Sequence, residues 1–183
     1  MKRTIGGMPV FIVMIVILIG VLQLINWIPS AVQEGAFARF GSLDEVRAKL
    51  KISPLLTPVY YPRSIRWPPS LIAAQTRPYA AVITEFPRSD GEGVGLVVTQ
   101  TEQGRPLLEE RMRLSSLRER VEYPLKGRPA VLEVGACGGE ETCSRLSWSE
   151  GAFQITLTMP SSPVELIGIA ESMITDGTGT GSP

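Results

Sequence analysis

Two cysteines carry the sharpest chemical signal in the sequence. Cys137 and Cys143 enclose Gly-Gly-Glu-Glu-Thr. In an oxidising compartment such a pair forms a structural disulfide by default, closing a small loop for about 2 kcal/mol on the loop-entropy model. Free thiols and redox work stand as the alternatives. A catalytic dithiol usually has the CxxC spacing at a helix N-terminus, which is not seen here. The carboxylate pairs Glu109-Glu110 and Glu140-Glu141 are candidates for acid–base work, but neither has a local partner, and sequence neighbours of this kind read as solvated surface. The chain has no histidine, which removes the commonest general base and the commonest metal ligand. Two thiols alone are too few ligands for zinc. Gly91-x-Gly93-x-Gly95 faintly resembles a nucleotide loop, yet no helix follows and no lysine sits at the phosphate-binding offset. Asp90-Gly91 within it is instead a good hairpin turn. No Gly-x-Ser-x-Gly or Ser-x-x-Lys appears. The expectation is no catalytic residue, no metal and no cofactor, hence a binding or interaction protein rather than an enzyme.

Charge narrows the partner. Lys and Arg number 18, as do Asp and Glu. With Lys2 and Arg3 set aside the remaining chain is slightly acidic, so nothing points to nucleic acid, which favours a basic patch or stripe.

The elements that must position these residues begin with an apolar run, Ile5 to Ile28, inside a stretch from Thr4 to Gln33 without a charged side chain. A bilayer core about 30 Å thick needs roughly 20 apolar residues, so the run is long enough to span. Lys2 and Arg3 precede it and Glu34 follows, which orients the N-terminus inward and the rest outward. The expectation is an uncleaved signal-anchor in the cytoplasmic (inner) membrane, single-pass, with an extracytoplasmic C-terminal domain. A cleaved signal peptide is the rival, with Ala36-Phe37-Ala38 matching a cleavage site. The chain then divides into a cytoplasmic stub and transmembrane anchor (1–29), a linker (30–41), an α+β domain (42–175) and a disordered tail (176–183).

Within the domain, Ser42-Leu-Asp-Glu45 reads as a capping box opening a helix over Leu43 to Lys51. A proline-rich passage follows, Pro54 to Pro69, carrying Tyr60, Tyr61 and Trp67. It reads either as a polyproline ligand or, better, as a segment crossing a core edge into a sheet. Strands are expected at Leu71 to Gln75, Tyr79 to Phe86, Val94 to Thr101, Glu119 to Tyr123, Pro129 to Val134, Ser144 to Trp148 and Phe153 to Met159. Pro106 to Leu117 fits helix and strand equally. Ser162-Pro-Val-Glu165 is a second capping box, opening a helix from Pro163 to Ile174 with Leu166, Ile169, Ala170 and Met173 on one face. The fold class is α+β: a single N-terminal transmembrane helix followed by a curved antiparallel β-sheet domain with short flanking helices.

Several segments carry a family likeness: Leu43-Asp-Glu-Val-Arg-Ala-Lys-Leu50, Pro54-Leu-Leu-Thr-Pro58, Tyr61-Pro62, Gly127-Arg-Pro-Ala-Val131, Leu146-Ser-Trp148, Gly151, Ile155-Thr-Leu157 and Glu165-Leu-Ile-Gly-Ile-Ala-Glu-Ser172. Between Leu43 and Met173 the chain resembles an uncharacterised bacterial extracytoplasmic domain family found in membrane-anchored, anti-sigma-factor-like proteins. The resemblance implies a curved sheet with helices, like that of lipoprotein carriers and sigma-regulator sensors, and by analogy a protein or lipid/lipoprotein partner beside the one membrane span. With only about seven residues expected before the membrane, no cytoplasmic sigma-binding domain is expected. The expected function is a non-catalytic binding or sensor-like module of the bacterial envelope. The alternatives are an accessory single-span subunit of a larger complex, marked by an exposed apolar patch, and an envelope enzyme, marked by convergent carboxylates.

Overall fold

The structure is a computed structural model describing residues 14–20, 23, 37–105, 112–137 and 141–174. Eight strands are present: β1 (Ala38–Arg39), β2 (Leu71–Gln75), β3 (Ala81–Pro87), β4 (Val94–Glu102), β5 (Leu114–Leu125), β6 (Arg128–Cys137), β7 (Thr142–Glu150) and β8 (Phe153–Met159). They form one antiparallel sheet in the order β1-β2-β3-β4-β8-β7-β6-β5. Two meanders, β1 to β4 and β5 to β8, meet where β4 pairs with β8, Val98 lying opposite Leu157. Two helices, α1 (Leu43–Leu50) and α2 (Pro163–Met173), pack with it.

This corrects the expected class. The protein is mostly an eight-stranded antiparallel sheet with short helices, and among the described residues no helix is long and apolar enough to cross a membrane. Of the apolar run, residues 14–20 and 23 are described, and they are helical. The N-terminal transmembrane helix and the single-pass inner-membrane placement are therefore withdrawn. Lys2, Arg3 and Trp27 lie outside the described residues, as do 106–111, the pair Glu109-Glu110 and the tail 176–183. The chain divides into two units, Met1–Phe37 and Ala38–Pro183; the eight-stranded sheet, α1 and α2 all belong to the second.

The sheet has two different faces because side chains alternate along a strand. One face stacks Ile72, Thr84, Val98, Leu157, Leu146 and Leu132 in one cross-strand row, and Ala74, Val82, Gln100, Ile155, Trp148 and Ala130 in the next. Most of these belong to the apolar core. Helix α2 closes that core with Leu166, Ile169, Ala170 and Met173, all buried. The opposite face carries Glu85, Val97, Thr158, Arg145, Glu133 and Arg120 in a row.

Residues 52–70, between α1 and β2, form a strap over the core face. Ile52, Leu55, Pro58, Pro62 and Ile65 turn inward, while Val59, Tyr60, Arg63, Arg66 and Trp67 are exposed. The inward residues fall three or four apart, the last pair set by a turn in which the Ile65 N–H donates to Pro62 O (3.0 Å). Gln100, on the core face and 1 % exposed, pins the strap at both ends of its amide: it accepts from Leu56 N (3.0 Å) and donates to Leu56 O (2.7 Å). At the far end Ile65 bridges to Arg88. Gly95 lies beneath this crossing, where a Cβ would meet Ile65 Cδ1 at 2.6 Å.

Both helix starts depart from the expected box. In α1 the Ser42 hydroxyl accepts from Glu45 N (3.1 Å), but the Glu45 carboxylate accepts from Gly41 N (2.9 Å), one residue beyond the cap. In α2 Ser162 makes no side-chain cap; Glu165 instead accepts from the Ser161 hydroxyl (2.9 Å). Proline at the first turn already lacks one of the N–H groups that a cap would satisfy.

Candidate functional site

The strap places one aromatic side chain where it can meet a ligand. Trp67 is followed by Pro68 and Pro69, and the chain bends at Trp67–Pro68 as it leaves the strap for β2. Its ring lies 5.2 Å from that of Tyr61 and 5.9 Å from that of Phe86. Tyr61 lies 5.4 Å from Phe86. Phe86 is completely buried on β3, and the Tyr61 hydroxyl donates to Pro58 O (2.8 Å). The indole is thus packed on one side while Trp67 as a residue remains 54 % exposed. Burial of Tyr61 pushes its hydroxyl up to about 12, so the phenol is neutral at ordinary pH.

In front of Trp67 is a cavity of about 400 Å³ between the strap and the first turn of α1. Leu43, Thr57, Pro68, Pro69 and Ile72 complete its wall, and Asp44 and Arg47 stand at its rim. The volume is in the range of small-molecule sites, and the mix of an apolar wall with a few polar groups is typical of them. Arg47 Nη1 donates to Asp44 Oδ1 at 2.7 Å. Both side chains are largely in solvent, so the pair contributes little to stability and remains available to a ligand. Behind it Lys49 bonds Glu45 at 2.6 Å; that hydrogen bond and the one from Gly41 N–H hold the Glu45 carboxyl below its usual range.

The residues singled out by sequence lie elsewhere. Cys137 and Cys143 are joined in a disulfide, their Cα atoms 5.6 Å apart, at the β6–β7 turn. Cys143 is fully buried and Cys137 nearly so, so the bridge is structural in setting. Glu141 accepts from Arg88 Nη1 at 2.9 Å, tying that turn to the β3–β4 turn; Glu140 lies outside the described residues. Gly91 and Gly93 take φ of 84° and 83° in the β3–β4 turn, a conformation that suits glycine, and no helix follows them. Among the described residues no group of three His, Cys, Asp or Glu side chains could hold a metal ion.

Two further polar regions make weaker sites. On the second face of the sheet, Glu133 lies between Arg120 (3.6 Å) and Arg145 (3.9 Å). Beside it Thr99 donates to Thr156 O, and the Ser147 and Thr156 hydroxyls meet at 3.1 Å. The three hydroxyls are taken up by these bonds, and Glu133 is shared by the two guanidinium groups. A second cavity, about 550 Å³ at the β5–β6 turn, is lined by Tyr123, Pro124 and Arg128, but the Arg128 guanidinium is already forked onto Glu150 at 2.7 and 3.3 Å.

No family model, no curated protein and no solved structure matches the chain.

In the sequence Trp67 stands out only as a large side chain among prolines. A further signal accompanies it: Trp-Pro-Pro lies in a run from Lys51 to Thr84 that contains Lys51, Arg63, Arg66 and Arg77 but no acidic residue. What the sequence does not show is that Asp44 and Arg47, some twenty residues earlier, face the same cavity.

Proposed function

We propose that this protein is a non-catalytic, sensor-like binding module working in an oxidising compartment, and that the Trp67 cavity is its binding site. One observation carries the reading: an indole packed against Tyr61 and Phe86, in a residue that stays half exposed, beside a 400 Å³ cavity. A preorganised aromatic wall spares a ligand the entropy of ordering it. The polar groups at the rim, Asp44 and Arg47, already neutralise each other, which suits recognition better than proton transfer. The disulfide supports the choice of compartment.

The test is ligand-observed NMR on the full chain with a library of soluble ring-containing fragments, repeated with Trp67→Ala. Hits that lose their signal in the variant are expected. Hits that persist unchanged, or an absence of hits, would remove the cavity from consideration.

A second reading has its own support. Val59 (81 % exposed), Tyr60 and Val164 (77 % exposed) form an apolar patch, since Tyr60 lies on Gly168 and the backbone N–H groups of Val59 and Tyr60 donate to the Ser172 hydroxyl. Such a patch favours an accessory subunit of a larger assembly. A photocrosslinker at position 164 that captures one discrete partner in cells, while Trp67→Ala leaves that capture intact, would move the assignment to this reading.

A further inference from the structure

We propose that the Trp67 cavity takes a neutral saccharide, with the apolar C–H face of one sugar ring on the indole and its hydroxyls on the rim; this rests on reading the cavity as the binding site. Charge is the first argument. The rim offers one carboxylate and one guanidinium 2.7 Å apart. An anion approaching Arg47 meets Asp44, and a cation approaching Asp44 meets Arg47, so the pair discriminates against both. Vicinal hydroxyls fit it without conflict: one donates to the second oxygen of Asp44 and its neighbour accepts from a free N–H of Arg47.

The aromatic geometry is the second argument. A proline-rich peptide is recognised in grooves lined by several aromatic rings. Here Trp67 presents the exposed surface, while Tyr61 is half-buried and Phe86 wholly so. A single flat platform suits one ring laid against it. The electron-rich face of the indole attracts the weakly positive C–H groups on one side of a sugar ring. The third argument is the supply of hydroxyls. The Ser42 oxygen accepts from Glu45 N (3.1 Å), which leaves its O–H to donate. Thr57 also lines the cavity, and a threonine hydroxyl can both donate and accept. A cavity of about 400 Å³ holding an indole, two hydroxyls, a carboxylate and a guanidinium has the complement that a polyhydroxylated ring requires.

The test is calorimetric titration of the full chain with β-1,4-linked tetramers of glucose and of N-acetylglucosamine and the α-1,4-linked tetramer of glucose. A proline-rich decapeptide and inorganic phosphate serve as comparisons. At least one tetrasaccharide should bind, about tenfold or more weaker to Trp67→Ala, with Trp67→Phe restoring part of the loss. Because Trp67 packs on Tyr61 and Phe86, Asp44→Ala and Arg47→Ala provide the control: both residues are exposed, so each should weaken sugar binding severalfold with an unchanged melting temperature. If no tetrasaccharide binds while ring-containing fragments still bind through Trp67, the saccharide is overturned and the cavity survives. Trp67-dependent binding of the peptide or phosphate in place of sugar also overturns it. If nothing binds through Trp67, both readings fall.

Discussion

Trp67 and its two aromatic supports link packing to titration as well as to binding. The folded state holds the Tyr61 hydroxyl up to about 12 by burial, against about 10 in an unfolded chain. Between those values the unfolded chain has given up a proton that the folded one keeps, so stability falls as pH rises. Tyr61 therefore contributes in full below about pH 10 and progressively loses its contribution from there to about pH 12. Burial raises Tyr79 too, so part of the alkaline loss should survive Tyr61→Phe. Melting at pH 9 and pH 11 should show a smaller drop for Tyr61→Phe than for the natural chain; equal drops would mean that Tyr61 is not desolvated. The cysteines give a second prediction at this scale. Neither thiol should react with an alkylating reagent in the folded, unreduced protein, and Cys143→Ala should cost about 2 kcal/mol in a denaturation curve. Labelling before reduction would rule the bridge out. The disulfide was legible in the sequence because a short pairing distance is local information. The cavity was not, because it joins Asp44, Trp67 and Ile72 across three elements.

Among the elements, α2 and the strap cover the core face of the sheet, and each should fail in its own way. Helix α2 has 11 residues, too few to be stable alone, so it depends on the burial of Leu166 and Ile169, both completely inaccessible. Leu166→Ala or Ile169→Ala should cost about 2–5 kcal/mol, read as a lower denaturation midpoint. An unchanged midpoint would mean that this face does not bear on the core. The strap depends on Gln100: replacement by Leu keeps the volume but leaves both Leu56 backbone groups unpaired, at a cost of about 1–3 kcal/mol. If Gln100→Leu were neutral, the strap would be held by apolar contact alone. Periodicity located α1, α2 and the strands β2, β4 and β8 closely, since alternation and capping residues lie within each segment. It shortened β5, expected over Glu119 to Tyr123 and found over Leu114–Leu125. The register shifts between Leu114 and Ser116 and again between Leu117 and Glu119, and a bulge breaks the two-residue alternation that marks a strand. It also missed β1, whose two residues, Ala38 and Arg39, are too few for any pattern.

At the scale of the whole molecule, the disagreement between sequence and structure is at the N-terminus. A long apolar composition invites a membrane helix, yet among the described residues no helix is long and apolar enough to cross a membrane. The sheet domain from Ala38 onward has its own core and its own candidate site. The proposed binding role rests on the Trp67 cavity, and the three tryptophans of the chain allow it to be tested directly. Trp27, Trp67 and Trp148 each give one indole N–H signal in a nitrogen-correlated spectrum, assignable by single Trp→Phe replacements. Trp148 is 1 % exposed in the core and serves as an internal reference. On titrating the full chain with the tightest fragment or saccharide found, the Trp67 signal should move saturably while the Trp148 signal stays in place. A stationary Trp67 signal at saturating ligand, or movement confined to other residues, would contradict the assignment of the cavity as the binding site.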